Sequence, residues 1–250
     1  MTRAKPGQLE RDQPASPASN PRGLPNIGRT LVSARSFDEY VAMFALTEAD
    51  LSRSILDCPG GAASFAAEAS SRGASVVAVD PVYAAPPTWL AEHALDEAVR
   101  GNRHTGSSIE SFVWTFFADI TDHLSRRTQS ARVFGEDLLT NPTTYVAASL
   151  PRLPFRDASF DLVLSSHLLF MYADRLNEYF HVAAACEMAR VARREVRIFP
   201  LISDSGTDTR ELLNAVRGAV AALGYTTLIA PSPYEFQKGG DEMLLIRRAP

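Results

Sequence analysis

Two carboxylates and a pair of glycines follow short apolar runs, and these residue types could hold a nucleotide-like ligand. Asp57 ends the first run, and Asp80 ends the next one along the chain. The turn after the first carboxylate reads Cys58-Pro59-Gly60-Gly61. Its small residues allow a ligand to approach the backbone closely. A carboxylate at position 80 can accept hydrogen bonds from both hydroxyls of a ribose, so we expect these residues to mark one ligand site.

A parallel sheet would bring these residues together. Residues 54–57 and 75–80 predict strands, and residues 76–79 are a continuous apolar run typical of a strand covered on both faces. Residues 62–72 predict a helix that Gly73 ends. A strand–helix–strand unit crosses over right-handed and pairs its strands in parallel. Both carboxylates would then lie at one edge, and we expect free N–H groups at the start of helix 62–72 to point toward the ligand.

The same alternation returns after residue 142. Strands are predicted at 144–148, 160–165 and 195–200, with helices at 174–192 and 209–223. The link between the last two strands, 225–229 and 243–247, has no room for a helix, so these strands should pair antiparallel. The predicted fold class is α/β: a doubly wound, mostly parallel seven-stranded sheet with an antiparallel last strand, plus a helical insertion.

Two parts of the chain depart from this alternation. Residues 1–28 hold five prolines among polar residues, which predicts a disordered tail before a domain over residues 29–250. Ser36 is a suitable N-cap for a short amphipathic helix. Residues 84–142 predict two helices, 87–100 and 107–127, the second with a broad aromatic face. We interpret this segment as a helical insertion or lid over the substrate.

Composition narrows the classes of function. The net charge is −4, so no overall basic field is present to attract a nucleic acid. The two cysteines, Cys58 and Cys186, cannot form a disulfide framework and are not spaced for zinc, so we predict no metal site and a reducing compartment. No apolar run is long enough to span a bilayer, and the N-terminus lacks the core of a signal peptide. A soluble cytoplasmic protein without membrane partners is therefore expected.

Three segments resemble signatures of the class I S-adenosylmethionine-dependent methyltransferases, over roughly residues 50–248. The turn keeps the acidic residue and the middle glycine, Gly61, of the family's glycine-rich signature, with Pro59 and Ala63 in the places of two other glycines. Asp80 corresponds to the acid that ends the family's second strand. Residues 153–167 place a turn, an acid and an apolar strand in the register of the fourth-strand segment of small-molecule methyltransferases.

The resemblance implies S-adenosylmethionine as the cofactor and a small molecule as the methyl acceptor. Ser149 stands where the family often has an acid that contacts adenine, and its hydroxyl could accept one hydrogen bond. The implied cofactor-binding residues are Asp57, Pro59, Gly60, Gly61, Asp80, Pro81, Ser149, Leu150, Ser165 and Ser166.

Methyl transfer requires mainly that acceptor and methyl group be held in line, with removal of a proton where the acceptor needs it. His167 comes just after the predicted fourth strand, and Tyr172 and Asp174 lie in the next turn. These three residues are candidates for a base or an acceptor contact. His167 could instead be a structural residue before the next helix. Cys58 is more consistent with a small packing residue than with a nucleophile.

Other functions stay open at this point. The changes at positions 59, 63 and 149 would suit a non-catalytic protein that binds S-adenosylmethionine or a nucleotide in a degraded pocket. Some RNA methyltransferases also carry Pro-Gly-Gly in this turn, but Lys5 and Lys238 are too few for their lysine-based acid–base set, and a nucleic acid partner is not favoured. A nicotinamide-dependent oxidoreductase would need three glycines in a wider spacing, which residues 57–65 do not supply. The pattern does not indicate the oligomeric state.

Overall fold

The computed structural model describes residues 31–249. The predicted tail over residues 1–28 lies outside these described residues. In chain order the helices are α1 (Phe37–Phe44), α2 (Glu48–Leu51), α3 (Phe65–Ser71), α4 (Pro87–Gly106), α5 (Ile120–Thr140), α6 (Glu178–Val191) and α7 (Arg210–Ala222). The strands are β1 (Ser54–Asp57), β2 (Ser75–Val79), β3 (Tyr145–Val146), β4 (Phe160–Ser166), β5 (Ala192–Phe199), β6 (Tyr225–Pro231) and β7 (Glu242–Arg248).

The strands form one seven-stranded sheet in the order β3-β2-β1-β4-β5-β7-β6. β1 pairs in parallel with both β2 and β4, whereas β7 lies antiparallel between β5 and β6. This arrangement confirms the predicted doubly wound, mostly parallel sheet with an antiparallel last strand. The strand order reverses between β1 and β4, and a sheet of this kind binds ligands beyond the carboxyl ends of the strands at that point.

Alternating residues of the strands face two separate cores. Ile55 packs with residues of α1, α3 and α5, whereas its neighbour Leu56 packs on the other face of the sheet with α6 and α7. The helices thus cover both faces, which explains why the central strands are apolar on both sides. The carboxyl edge of the strands is left open between the two layers.

The start of α1 follows from its local sequence. The Glu39 amide donates to Ser36 Oγ at 3.2 Å, and Glu39 Oε2 accepts from the Ser36 amide at 3.0 Å. This reciprocal capping box satisfies two amides at the helix start and confirms Ser36 as the N-cap. It also fixes the position of the Glu39 carboxylate.

The predicted helix over residues 107–127 is wrong over residues 107–119 and correct over 120–127, which belong to α5. α4 ends at Gly106, and after one short 3₁₀ turn the chain runs without helix to Asp119, where α5 begins. The Val113 amide donates to the Phe236 carbonyl at 2.7 Å, so this segment pairs with a distant loop instead of with its own turns. Asp119 accepts from two amides of the first turn of α5 and was the available signal for that start.

The insertion is part of the core as well as a cover. Leu90 and Ala94 of α4 and Phe134 of α5 are fully buried in the same core as α3. The two helices also pack closely on each other: a side chain at Gly135 would meet the Cβ of Ala91 at 2.9 Å. The segment 84–142 is therefore helical, as predicted in outline, but its removal would open the core of the domain.

Candidate active site

A cavity of about 520 Å³ lies at the carboxyl edge of the sheet. This volume is within the range of roughly 300–1,000 Å³ typical of small-molecule sites. One end is formed by the turn after β1 and by residues that follow β2 and β3. The other end is formed by residues after β4, by Asp204 after β5, and by α4 and α5. A single space thus joins the predicted cofactor residues to the predicted catalytic ones.

The turn after β1 is compact. Gly61 has a φ of +53°, a conformation that favours glycine, and a Cβ there would lie 3.2 Å from the Ser33 carbonyl oxygen. A Cβ on Gly60 would lie 2.5 Å from the Tyr83 hydroxyl. That hydroxyl donates to the Gly61 carbonyl at 2.8 Å, so Tyr83 supports the turn from below and does not line the cavity.

The expectation of free N–H groups in this turn is wrong. The amides of residues 60–64 all donate within the protein, to Val79 O, Asp80 Oδ2, Ser33 O, Gly60 O and Arg35 O. α3 begins only at Phe65, because these bonds hold the preceding residues in a turn. Residues 60–64 therefore form no cradle of free amides for a phosphate, and the turn contributes its small size and its fixed shape.

Asp57 lies under the turn instead of in the cavity. Its side chain is buried, and Oδ1 accepts from the Tyr40 hydroxyl at 3.1 Å. Burial raises the pKa of Asp57 well above its ordinary value, and the nearby Asp80 raises it further against the effect of this hydrogen bond. Asp57 thus supports the floor of the site, and the structure does not place it among the lining residues.

Asp80 lines the cavity and is held in a fixed orientation. Its Oδ2 accepts from the Gly61 amide at 3.1 Å, and Oδ1 accepts from the Val82 amide at 2.9 Å. Each oxygen keeps a further lone pair that can accept from a ribose hydroxyl. Burial raises the pKa of Asp80, while the two amide hydrogen bonds act in the opposite direction. This geometry agrees with the predicted role of Asp80 toward a ribose.

Most of the other predicted cofactor residues also line the cavity. Pro59, Gly60, Gly61, Pro81, Ser149 and Leu150 follow β1, β2 and β3 near Asp80, whereas Ser166 ends β4 beside His167. Ser165 does not line the cavity; its hydroxyl is buried and has no hydrogen-bond partner within residues 31–249. Cys58 is also buried, and burial raises the pKa of its thiol well above the ordinary value, which agrees with a packing role.

The three candidate catalytic residues separate into two groups. His167 and Tyr172 line the cavity, whereas Asp174 does not and pairs instead with Arg175 at 3.3 Å. His167 Nδ1 lies 2.8 Å from Ser166 Oγ. Burial lowers the pKa of His167 well below its ordinary value, and the charges of Arg35 and Arg127 lower it further. Its imidazole is therefore neutral at neutral pH and a weak base.

Residues 31–35 form a strap along the cavity that sequence reasoning missed. The Leu31 amide donates to Tyr172 Oη at 3.3 Å, and the Val32 amide donates to Glu97 Oε2 of α4 at 3.0 Å. The Ser33 carbonyl accepts from the turn after β1 at 3.1 Å. The strap thus ties three walls of the cavity together. The strap sequence contains no regular pattern, and Glu97 has the sequence context of a solvated helix residue. The sequence therefore did not indicate that the strap or Glu97 lines the cavity.

α5 supplies two further lining residues that the sequence did not single out. Arg127 Nε donates to His123 Nε2 at 3.2 Å, so His123 carries its proton on Nδ1, which lies 2.7 Å from Asn102 Oδ1. Burial and the charges of Arg127 and Arg35 lower the pKa of His123 to about 2. Both residues lie within the predicted helix 107–127, which starts too early. The prediction therefore did not show that these two side chains face the cavity.

Comparisons with known proteins agree with this geometry. A family model described as a methyltransferase domain matches residues 117–199. An uncharacterized protein of Methanocaldococcus jannaschii, MJ0045, is 32% identical over 224 residues, which cover 89% of this chain and 98% of that protein.

Solved methyltransferases were also found by structure. The magnesium protoporphyrin IX methyltransferase of Synechocystis PCC 6803, crystallised with S-adenosylmethionine, is 14% identical with a TM-score of 0.47, over 85% of this chain and 78% of that one. A putative S-adenosylmethionine-dependent methyltransferase of Methanococcus maripaludis is 10% identical with a TM-score of 0.43, over 86% and 84%. At these values we draw no argument from the structural similarities.

The strand order with its antiparallel seventh strand and the site at the reversal point are those of the class I S-adenosylmethionine-dependent methyltransferases, and residues 117–199 match the methyltransferase-domain model. Within this class, the chain belongs to the same family as the MJ0045 protein, which it matches over nearly the whole length of both. The cofactor of the class is S-adenosylmethionine. None of the helices within residues 31–249 has the length and apolar character needed to cross a bilayer.

Proposed function

We propose that this protein transfers the methyl group of S-adenosylmethionine to a small-molecule acceptor. The observation that carries the proposal is the single cavity that runs from Asp80 and the glycine turn to His167 and the insertion helices. A donor whose ribose is held at Asp80 would have its reactive end directed toward the residues after β4, because those residues follow the neighbouring strand.

The cavity walls favour a small acceptor over a macromolecule. The strap, α4 and α5 close around the end of the cavity near His167, with buried contacts between strap and helices. An RNA would need an open, basic surface, and the chain has a net charge of −4. We therefore do not favour the RNA methyltransferase alternative.

Methyl transfer would depend on the positioning of the acceptor more than on a strong base. His167 is the best-placed imidazole, but its lowered pKa makes it a poor proton acceptor at neutral pH. It can still orient the acceptor through a hydrogen bond, as can the Tyr172 hydroxyl. Holding the acceptor in line with the activated methyl group can by itself supply much of the rate enhancement.

Binding and turnover test the proposal separately. Calorimetry should detect S-adenosylmethionine and S-adenosylhomocysteine but not NAD. Incubation with methyl-deuterated S-adenosylmethionine and a fractionated metabolite extract should give a product that is heavier than the one from the unlabelled donor. Asp80→Asn provides the control, because it weakens donor binding without touching the acceptor end. NAD binding without S-adenosylhomocysteine binding would refute the proposal. Tight donor binding with no methylated product from any fraction would favour the non-catalytic alternative.

A further inference from the structure

Two buried arginines in the cavity wall share one carboxylate. Arg127 Nη1 donates to Glu39 Oε2 at 2.5 Å. Arg35 Nη1 lies 3.6 Å from Glu39 Oε1, too far for a hydrogen bond, and that oxygen accepts from the Tyr234 hydroxyl at 2.8 Å. Glu39 is thus occupied by Arg127, Tyr234 and its own helix cap, and this group of charges has one cation more than it has anions.

Arg35 has two nitrogens whose N–H groups make no hydrogen bond. Its Nε and Nη1 are buried and donate to nothing within the described residues, and Glu39 lies near only at ion-pair distance. A buried donor without a hydrogen-bond partner is costly, and more so when it is charged. Arg35 lines the cavity and has 12% of its side chain exposed. Such a group calls for an acceptor, and residues 31–249 do not supply one.

The imidazoles beside this group do not offset its charge. His123 and His167 both line the cavity, and burial lowers the pKa of each, with the same two arginines lowering it further. Both imidazoles are therefore neutral at neutral pH and bring no negative charge to this end of the cavity.

The other carboxylates that line the cavity are engaged elsewhere. Glu97 pairs with Arg100 at 2.6 Å, and Asp204 pairs with Arg175 through Oδ2 at 3.0 Å, whereas Asp204 Oδ1 is buried without a hydrogen-bond partner among the described residues. Asp80 lies at the ribose end, bonded to two amides of that end. The surplus positive charge is thus local to Arg35, in a protein whose net charge is −4.

We propose that the methyl acceptor is a small organic acid whose carboxylate binds Arg35. The proposal rests on the proposed methyltransferase function and names the class of its acceptor. A guanidinium matches the planar, two-oxygen geometry of a carboxylate, and the charge makes such a hydrogen bond stronger than a neutral one. Neutral acceptors of similar shape would leave Arg35 unpartnered.

One other carboxylate could reach this wall, namely that of the methionine portion of the cofactor. S-adenosylhomocysteine contains that carboxylate, whereas 5′-methylthioadenosine keeps the adenosine and the thioether but lacks it. A comparison of complexes with these two ligands therefore separates an acceptor site from a cofactor contact.

The test is a titration of the Arg35 Nε–H signal by nuclear magnetic resonance, with assignment through the Arg35 backbone amide. Sodium acetate is the probe, acetamide is its neutral counterpart, and sodium chloride controls for ionic strength. Acetate should shift the signal saturably in both the S-adenosylhomocysteine and the methylthioadenosine complexes, while acetamide and chloride should not. Arg35→Gln should bind acetate roughly tenfold more weakly or worse. Arg210→Gln, at an exposed arginine paired with Asp208, should bind it as the wild type does.

Three results would overturn the inference. An acetate shift in the methylthioadenosine complex that is absent with S-adenosylhomocysteine would show that the cofactor's own carboxylate occupies the wall. Equal responses to acetate and acetamide, or no response to either, would show that no anion site exists. A protein that does not bind S-adenosylhomocysteine would overturn the proposed function together with the inference. Because the wild-type titrations decide among these results, the test holds even if Arg35→Gln fails to fold.

Discussion

At the scale of single residues, the site depends on a few polar atoms whose partners are already assigned within the protein. Asp80 illustrates this best. Both of its oxygens accept from backbone amides, so the carboxylate is held in one orientation, in which it would meet the ribose of the proposed donor. Asp57, at the end of the adjacent strand, is more deeply buried and points into the floor against Tyr40. Two acids at the ends of adjacent strands thus have different roles because their partners differ.

Donor binding should depend on pH through Asp80. Burial raises the pKa of Asp80 above the ordinary value of about 4, so acidification should protonate it earlier than an exposed carboxyl. Affinity for S-adenosylhomocysteine should therefore be full at neutral pH and fall as the pH decreases through that raised pKa. Asp80→Asn should bind about tenfold or more weakly at neutral pH, because hydrogen bonds to a charged acceptor contribute about 1.5–3 kcal/mol.

Calorimetry from neutral to acidic pH measures both effects. The acid-side loss of affinity should be much smaller in Asp80→Asn than in the wild type, provided that circular dichroism shows the variant to be folded. Equal pH profiles for the two proteins would show that another group titrates.

At the scale of elements, a buried ionic network joins α1, α5 and the loop before β7. Glu39 of α1 pairs with Arg127 of α5 and accepts from Tyr234 of that loop, all in buried positions. Arg127 also donates to the Ala34 carbonyl of the strap at 3.1 Å. The network therefore positions one wall of the cavity relative to the strap.

Neighbouring arginines on α5 provide a matched test of this network. Arg127→Met should lower the free energy of unfolding by about 3–5 kcal/mol, because it leaves the buried Glu39 without its closest cation. Arg126→Met removes an arginine whose side chain is 44% exposed and pairs with Asp122, and should cost about 0–1 kcal/mol. Urea unfolding of both variants measures the difference. Equal costs would show that the network contributes little beyond an exposed pair.

The sequence predicted the elements whose pattern is set by the sheet. β1, β2 and β4 are apolar on both faces because helices cover both sides, and that pattern is visible in a single sequence. The segment 107–119 misled the prediction, since Phe112, Phe116 and Phe117 have helical spacing but pack against Phe236 and Tyr234. Contacts with residues more than 100 positions away decide that conformation, and local spacing does not contain them.

The residues of the candidate site also divide into those that the sequence predicted and those that it did not. Asp80, the glycine turn and His167 were predictable because strand ends at one edge of a parallel sheet must lie together. Arg35, Glu97 and Arg127 were not, since each reaches the cavity through a tertiary contact of the strap or the insertion. The predicted lid is accordingly a wall: α4 and α5 contribute side chains to the cavity and to the core at once.

At the scale of the whole molecule, the cavity is assembled from distant parts of the chain, so a bound donor should stabilise all of them together. At a ligand concentration of 100 times the Kd, binding adds about 2.7 kcal/mol to the free energy of unfolding. Hydrogen exchange should slow in residues 31–35, 58–64 and 145–150 when S-adenosylhomocysteine is added. The edge strand β6, which does not line the cavity, should change little.

Exchange measured by mass spectrometry, with NAD as the ligand control, tests this pattern. Protection limited to the turn after β1, with an unchanged strap, would mean that residues 31–35 do not respond to the donor.

The direction of β7 has a practical consequence for handling the protein. Because β7 runs antiparallel to β5, it ends at the edge of the sheet away from the cavity, and Ala249 follows it there. Leu31, by contrast, is itself a lining residue, so whatever precedes it joins the domain at the rim of the site. Affinity tags, surface immobilisation and fluorescent fusions therefore belong at the carboxyl end, where they leave the entrance for donor and acceptor unobstructed.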